Sequence, residues 1–394
     1  MKFDWSLFII ALLLSAIGVL LVYSAVNNTA LEKLYVRQAA FLFVAIGLML
    51  LIWHIPIRIH DGLAYAYYIV MLAVLVLVLL QDEPVKRWLG FGAWKIQPSE
   101  FSKLVMVFVL GRWFRDHNKS IDSPITIGAA ILAVLPPFFL VIREPDLGTG
   151  IVFFVLLFTM LYAAKVRPLN LFLLLTPLVA MISAVHWIAW AIYFVLLLFI
   201  LIKWRATTTT FLTTVILAVS IGVTTPYVWT HLHPYQRERI KVFLDPEHDP
   251  LGTGYQLIQS KIAIGSGGVF GKGFLEGTQI KLAFLPAKHS DFIFAVMAEQ
   301  FGFIGCFIIL FLYFILLWKI IKIASQARSQ FGNIIAMGIA GIIFFQVLIN
   351  IAMTLGLAPI TGIPLPFLSS GGSSLIVFWA MIGILQYISS QSEE

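Results

Sequence analysis

The hydrophobic residues of this chain fall in long blocks, separated by short polar stretches and by one long polar segment near residues 231–290. Many blocks approach the roughly 20 apolar residues that a helix needs to cross a bilayer, and some are shorter. Because backbone groups in lipid must be hydrogen-bonded within their own segment, each block predicts a helix. The predicted helices cover residues 5–26, 35–54, 64–81, 98–115, 125–142, 149–164, 168–185, 187–203, 211–230, 291–318, 331–356 and 367–388.

The composition favours a membrane protein over a soluble one. Of the 394 residues, 60% are hydrophobic and 11% are charged, whereas soluble domains average about 25% charged residues. The pattern therefore predicts a single integral membrane domain over residues 1–394. Its first block lacks a cleavage site and is too long for a signal peptide, so we expect a retained first span. The single cysteine, Cys306, lies in an apolar run and excludes a disulfide scaffold.

The formal net charge of +7 does not indicate nucleic-acid binding, because the basic residues stand singly or in small groups at the ends of the apolar blocks. This is the positive-inside pattern of polytopic membrane proteins. It predicts that both termini are cytoplasmic and that the loop 231–290 is extracellular. The basic turns on the predicted cytoplasmic side lie at 54–61, 111–120, 165–167, 203–205 and 319–328.

A polar cluster opens the block at 98–115. Pro98 suits the first turn of a helix, and Glu100 suits the positive end of the helix dipole. Glu100 and Lys103 are three residues apart, so they share a helix face and can pair. A capped helix with an ion pair near its end is one interpretation. A functional site is the other, since ionisable groups at membrane depth are costly.

Two further polar clusters break the apolar pattern. Residues 143–149 read REPDLGT, in which Pro145 and Gly148 predict a turn and Asp146 can cap the helix that follows. Residues 364–374 read PLPFLSSGGSS, which cannot continue a regular helix. Such a break in a membrane protein must be buried in protein or line a watery cavity. Close packing of small residues is the alternative.

The long loop contains amphipathic stretches and ends at Asp291, where the chain becomes apolar again. Asp291 can be an acid at the start of a helix, or a carboxylate at the membrane–water boundary that acts as a general base. The glycines of the loop resemble a phosphate loop only superficially, because the Lys-Ser/Thr ending is missing. We therefore expect no nucleotide site. These glycines are Gly265, Gly267, Gly268, Gly271 and Gly273.

Five blocks together closely resemble the SEDS family, the proteins of shape, elongation, division and sporulation. They are QPSEFSKL (97–104), EPDLGTG (144–150), GYQLIQSKIAIGSGGVFGKGFLEGTQ (254–279), LPAKHSDFIFAVMAE (285–299) and GIPLPFLSSGGSS (362–374). The KGFLEGTQ stretch looks more like RodA than FtsW. The resemblance implies a bundle of ten core transmembrane helices. Twelve segments are two more than this, and an inserted hairpin near 168–204 would account for the surplus. The alternative is that these residues form two half-spans.

The same resemblance implies a peptidoglycan glycosyltransferase that polymerises lipid II for cell elongation and rod shape. The essential aspartate of the family falls on Asp291. It would accept the proton of the GlcNAc 4-hydroxyl as that oxygen attacks MurNAc C1, so that a β-1,4 bond forms and undecaprenyl pyrophosphate leaves. The departing pyrophosphate needs cations or a metal ion to stabilise its charge. A divalent cation, Mg²⁺ or Mn²⁺, near Asp291 could supply this, but the sequence shows no dedicated set of metal ligands. The expected substrate-binding residues are Lys86, Arg87, Gln97, Glu100, Lys103, Glu144, Asp146, Ser369 and Ser370.

The resemblance also implies partners, namely a class B penicillin-binding protein together with MreC and MreD. Two other functions stay open at this point. Broken helices and intramembrane charges fit a lipid II flippase equally well. A non-catalytic scaffold that activates the penicillin-binding protein is the second alternative.

Overall fold

The computed structural model describes residues 2–27, 29, 31–81, 87–90, 95–184, 186–231, 234–245, 253–278 and 288–392. Lys86 and parts of the long loop, 246–252 and 279–287, lie outside the described residues. The described chain is helical, with one isolated β-bridge between Leu89 and Ile96. Its α-helices are α1 (Trp5–Val26), α2 (Leu34–Trp53), α3 (Ile57–Leu79), α4 (Pro98–Asp116), α5 (Pro124–Arg143), α6 (Leu147–Ala163), α7 (Pro168–Ser183), α8 (Trp187–Lys203), α9 (Thr208–His231), α10 (Pro234–Leu244), α11 (Thr253–Gly267), α12 (Ile293–Gln326), α13 (Gln330–Leu355) and α14 (Gly372–Ser392).

The predicted multi-pass, all-α class is confirmed. Within the described residues, eight helices are long and apolar enough to cross a membrane, and three more apolar helices are shorter. Each of the twelve predicted segments contains a helix, and α1 has the predicted bounds. The last segment was predicted to begin at 367, but α14 begins at Gly372, because the preceding Pro, Ser and Gly residues form an irregular loop instead. The eight long helices are α1, α2, α3, α5, α9, α12, α13 and α14.

The chain divides into two compact units, residues 165–241 and the remainder. The smaller unit contains α7, α8 and α9. Its apolar centre consists of Leu197, Leu201 and Ala218, and the hydroxyl of Tyr193 donates to the carbonyl of Thr176 at 3.0 Å. The hairpin expected at 168–204 corresponds to helices α7 and α8 of this unit.

The larger unit is built around α13 and α14, the most deeply buried of the long helices. Trp379 of α14 is fully buried, and its indole N–H donates to the hydroxyl of Ser15 on α1 at 3.1 Å. Helix α14 packs against α2, and α13 packs against α6 and α12. These contacts hold the polar ends of α4, α6 and α14 and the start of α12 in a fixed frame.

Helix α12 is broken at Gly302, where φ is 62° and ψ is −158°. The loop after α11 supplies hydrogen bonds that the break removes. The amides of Phe303 and Ile304 donate to the carbonyls of Gly268 (2.9 Å) and Val269 (3.1 Å). Because unbonded backbone groups are costly inside a membrane protein, this loop stabilises the break. The break at Gly302 separates a short half-helix, residues 293–301, from the long remainder of α12.

The glycines of the same loop have a packing role. A methyl group placed on the Cα of Gly271 would lie 2.1 Å from the carbonyl oxygen of Gln300, and one on Gly267 would lie 2.0 Å from that of Ala298. Only glycine allows the loop to approach the half-helix this closely. Contact with the broken helix therefore explains two of the five glycines in the spacing that superficially resembles a phosphate loop, Gly267 and Gly271.

Candidate functional site

Asp291 lies in the turn 288–292 that leads into α12, and it is half-buried. The helix begins at Ile293 with Phe292 in the capping position, and no side chain caps this end. Asp291 therefore lies one residue before the cap. The interpretation of this acid as a helix cap or first-turn residue is wrong, because Asp291 lies outside both the helix and its capping position.

Asn350 holds the Asp291 turn in place. This residue of α13 is fully buried, and its side-chain amide donates to the backbone carbonyls of Asp291 (2.9 Å) and Ile363 (2.8 Å). It thereby ties the turn to the irregular loop before α14. The apolar pattern did not single out Asn350, although a buried amide inside an apolar span is itself a signal of an internal polar contact.

Ser369 and Ser370 contact the same turn. The Ser369 hydroxyl donates to the carbonyl of Ser290 at 2.6 Å, and the Ser370 amide donates to the carbonyl of His289 at 2.9 Å. The loop also approaches the carboxylate itself, since a methyl group on the Cα of Gly362 would lie 3.7 Å from Oδ2 of Asp291. Two of the predicted residues, Ser369 and Ser370, thus lie beside Asp291.

Gln97 and Asp146 form a second polar group, at the starts of α4 and α6. Oδ2 of Asp146 accepts from the Gln97 amide (2.9 Å), the Ser99 hydroxyl (3.3 Å) and the Thr149 hydroxyl (2.9 Å). Its Oδ1 accepts from the Thr149 amide at 3.2 Å, which is the expected N-cap. Asp146 thus accepts hydrogen bonds from both helix starts and connects α4 to α6.

Glu100 and Lys103 form the predicted pair. Lys103 Nζ lies 2.7 Å from Glu100 Oε2, and the side chains are 0% and 4% exposed. The ammonium group also lies 5.7 Å from the ring centre of Phe378 on α14. Glu100 therefore orients the Lys103 ammonium group. The pair is buried between α4 and α14 and is not exposed to solvent.

Arg87 and Glu144 meet at the turn between α5 and α6. The guanidinium of Arg87 donates to the carbonyl of Glu144 at 2.6 Å and also to that of Pro145. The Glu144 side chain is fully buried, and neither carboxylate oxygen has a hydrogen-bond partner among the described residues. Burial, reinforced by the charge of Asp146 and opposed by Arg87, raises the pKa of Glu144 to about 8. A carboxyl group in this position is mostly uncharged at neutral pH.

The loop 361–371 and the first turn of α14 connect these groups. A methyl group on the Cα of Gly148, at the start of α6, would lie 3.1 Å from the carbonyl oxygen of Thr361. The backbone N–H of Gln97 donates to the hydroxyl of Ser373, in the first turn of α14, at 2.9 Å. The loop and this turn together contact the start of α4, the start of α6 and the Asp291 turn. The structure brings most predicted site residues to the same end of the larger unit, while Lys86 lies outside the described residues.

In the part of the chain that the structure describes, no group of three His, Cys, Asp or Glu side chains could hold a metal ion. The donor set therefore does not fit a dedicated divalent-cation site built from these residues. The expected Mg²⁺ or Mn²⁺ stays a prediction, and no chemical step is assigned to it.

Comparison with known proteins points to one family. The family profile named for FtsW, RodA and SpoVE and described as "Cell cycle protein" matches residues 4–195 and 187–394. The chain is 36% identical over 379 residues to the peptidoglycan glycosyltransferase MrdB of Escherichia coli, covering 94% of this chain and 90% of that protein. It is 34% identical to stage V sporulation protein E of Bacillus subtilis, covering 99% and 97%.

Two solved structures have a similar fold. The first comes from a study of a peptidoglycan synthase complex that coordinates polymerization and crosslinking. It has a TM-score of 0.74 and 29% identity, with 100% of this chain and 99% of that chain covered. The second is a rod shape determining protein RodA from Thermus thermophilus, with a TM-score of 0.64, 22% identity and the same coverage. The second likeness extends to the fold alone.

Proposed function

Because the chain belongs to the FtsW/RodA/SpoVE family, we propose that it polymerises lipid II at the site around Asp291. The chain is a peptidoglycan glycosyltransferase, the activity named for its MrdB, RodA and FtsW relatives. The observation that carries the proposal is the position of Asp291. Its turn is held by Asn350 and Ser369, and its carboxylate faces the loop that links the polar starts of α4 and α6.

In the proposed reaction, Asp291 is the general base. Its carboxylate takes the proton from the 4-hydroxyl of the acceptor GlcNAc as that oxygen attacks C1 of MurNAc in the donor. The bond from C1 to the diphosphate oxygen breaks, undecaprenyl pyrophosphate leaves with the electron pair, and the configuration at C1 inverts. The proton stays on Asp291 until it is released to water. One carboxylate is sufficient for this proton transfer.

The second polar group supports binding of the donor. The Arg87 guanidinium carries a charge that is always present and can pair with the diphosphate, although it now donates to backbone carbonyls. Gln97 and Asp146 offer groups that can bind sugar hydroxyls. Lys103 contributes its positive charge from within the protein, since it is buried against Glu100. Lys86 stays a predicted diphosphate contact on the sequence resemblance alone.

A crosslinking partner is the second part of the proposal. The similar structure from a complex that coordinates polymerization and crosslinking supports a penicillin-binding protein beside this chain. We infer the class B type from the family resemblance, together with MreC, MreD and a role in elongation and rod shape. The basic turns support cytoplasmic termini and an extracellular site.

The test uses the full chain with its penicillin-binding partner and labelled lipid II in detergent. We expect glycan ladders from the parent protein, and a loss of about 100-fold or more in initial rate for Asp291→Asn, as for removal of a general base. Asp122→Asn, which changes an acid on the turn before α5, is the matched control and should keep the parent rate. The partner carries a transpeptidase-inactivating substitution, so that ladders report polymerisation alone.

The same assay separates the alternatives. Glycan ladders formed at the parent rate by Asp291→Asn would contradict the role of Asp291 as the base. Ladders formed by the penicillin-binding partner in the absence of this chain would indicate that the chain is a scaffold. Transfer of lipid II across vesicle membranes without any ladder would favour the flippase.

A further inference from the structure

A buried carboxylate outside the proposed reaction lies near the far end of the half-helix that Asp291 precedes. Glu299 is fully buried. Its Oε1 accepts from the ammonium of Lys272 at 2.8 Å and from the hydroxyl of Thr278 at 3.1 Å. Lys272 also donates to the Thr278 hydroxyl at 2.8 Å, so the three groups form a closed network. Both partners of Glu299 come from the loop after α11.

Glu299 also acts on a second lysine, in the turn that carries Asp291. Lys288 is buried at 8% exposure. Burial lowers the pKa of Lys288, and the negative charge of Glu299 opposes that shift and favours the ammonium form. The direct contacts of the Glu299 carboxylate are with the loop 267–278.

Backbone contacts show that the loop and the half-helix fit together as one body. The Lys272 amide donates to the carbonyl of Glu299 (3.0 Å), and the Gly273 amide donates to that of Gln300 (3.0 Å). These bonds satisfy the last carbonyls of the half-helix, which otherwise lack partners where the helix breaks. Lys272 therefore donates hydrogen bonds both to the side chain and to the backbone carbonyl of Glu299.

We propose that Glu299 is a positioning residue for Asp291, because it locks the loop 267–278 onto the half-helix 293–301, which starts directly after the Asp291 turn. This inference rests on the proposed function of Asp291. Removing one partner of a buried ion pair leaves an uncompensated charge, which the protein relieves by moving the segments apart. Loss of the Glu299 carboxylate would remove the counter-ion of Lys272 and loosen the loop 267–278 from the half-helix, and the Asp291 turn would shift relative to the loop 361–371.

The experiment measures kcat and KM for lipid II with the chain and its penicillin-binding partner. We expect Glu299→Gln to lower kcat by about tenfold or more, as a small displacement of a catalytic group does, while KM changes less than about twofold. Glu276→Gln, which changes an exposed acid of the same loop, is the control and should keep the parent kcat.

Substitutions of the partly exposed lysine keep the proposal testable if Glu299→Gln does not fold. Lys272→Met should lower kcat, as Glu299→Gln does. Lys272→Arg keeps the positive charge and should have a kcat close to that of the parent. Thermal unfolding in detergent shows whether each variant is folded. Parent kcat in folded Glu299→Gln or Lys272→Met would overturn the proposal, as would a change in KM with kcat unaltered.

The outcome for Asp291 separates this proposal from the proposed function. If Asp291→Asn is inactive while Glu299→Gln has parent kcat, only the positioning role fails. If Asp291→Asn polymerises at the parent rate, the proposed base fails, and the positioning role fails with it.

Discussion

The side-chain amide of Asn350 donates one hydrogen bond to the backbone carbonyl of Asp291 and another to that of Ile363, at 2.9 and 2.8 Å. A single buried side chain on α13 therefore sets the distance between the turn that carries the proposed base and the loop that faces it. Both carbonyls lie in irregular backbone, where no helix supplies a donor. The amide is well suited to this role because it offers two N–H groups from one nitrogen.

We predict that Asn350→Leu reduces polymerisation. Leucine has a similar volume but cannot donate, so the two carbonyls lose these bonds and the Asp291 turn is released. A lost bond to a buried group costs about 1–3 kcal/mol in stability, and we expect kcat to fall by about tenfold or more through displacement of Asp291. The measurements are the glycan-ladder rate and the unfolding temperature in detergent.

Gln346→Leu provides the matched control, since Gln346 is a buried amide one turn earlier on the same helix. It should keep the parent rate. An Asn350→Leu protein that polymerises as fast as the parent would show that the two hydrogen bonds do not position Asp291.

We predict that Glu144→Gln stabilises the protein at alkaline pH. The pKa of Glu144 is raised from its ordinary value of 4.5 to about 8, so the folded state holds a proton that the unfolded state has lost. The stability of the parent therefore falls as pH rises from the unfolded pKa through the folded pKa. Glutamine removes this dependence, with an expected gain of about 1–3 kcal/mol above pH 8.

Unfolding temperatures of parent and Glu144→Gln proteins across the pH range test this sign. The difference should vanish well below the ordinary pKa of 4.5, where both the folded and the unfolded parent are protonated, and grow as pH rises toward 8. A constant difference at all pH values, or a variant less stable than the parent at alkaline pH, would contradict an uncharged Glu144.

We predict that Lys103→Met is more damaging than the double substitution Glu100→Gln with Lys103→Met. The single change leaves a buried carboxylate without its partner, which costs about 3–5 kcal/mol. The double change removes both charges and should recover part of that loss. Unfolding temperatures in detergent measure the stability of each variant. Asp116→Asn, which breaks a partly exposed pair with Arg115, should cost less than about 1 kcal/mol.

Activity of the same variants distinguishes two roles of Lys103. If its charge supports the diphosphate, the double variant should fold and still polymerise slowly. A double variant with the parent rate would restrict the pair to a structural role.

We predict that Gly302→Ala disrupts the junction of α12 with the glycine loop. The residue has a φ of 62°, and an added methyl group would lie 2.4 Å from the amide nitrogen of Gly271. Both effects are unfavourable, and we expect a loss of about 2 kcal/mol or more. Thermal unfolding measures the loss. Gly265→Ala is the control, because its added methyl meets nothing within 4 Å inside α11. It should be neutral or slightly stabilising, and equal unfolding temperatures for the two variants would rule out the predicted clash.

Local pattern was sufficient for much of this protein. The apolar blocks predicted the helices because each span must satisfy its own backbone hydrogen bonds in lipid, and α1 has its predicted bounds. Spacing of three residues predicted the ion pair of Glu100 and Lys103 because helix geometry places such residues on one face. The N-cap by Asp146 followed from its position before an apolar run. The motif blocks identified the family and directed attention to Asp291.

Only the tertiary structure showed how Asp291 is held. Asn350 and Glu299 contact segments that are distant from them in sequence, and their neighbouring residues do not indicate which segments these are. The break at Gly302 looks like ordinary apolar sequence, because hydropathy records composition and not which carbonyl meets which amide. Hydropathy likewise did not show that helix α14 begins at Gly372 rather than at 367. Ser369 and Ser370 lie outside the helix because they form hydrogen bonds with the Asp291 turn. The sequence by itself determined the helices and the family. The packing of remote segments decided the geometry of the site, because a hydrogen bond depends on distance in space.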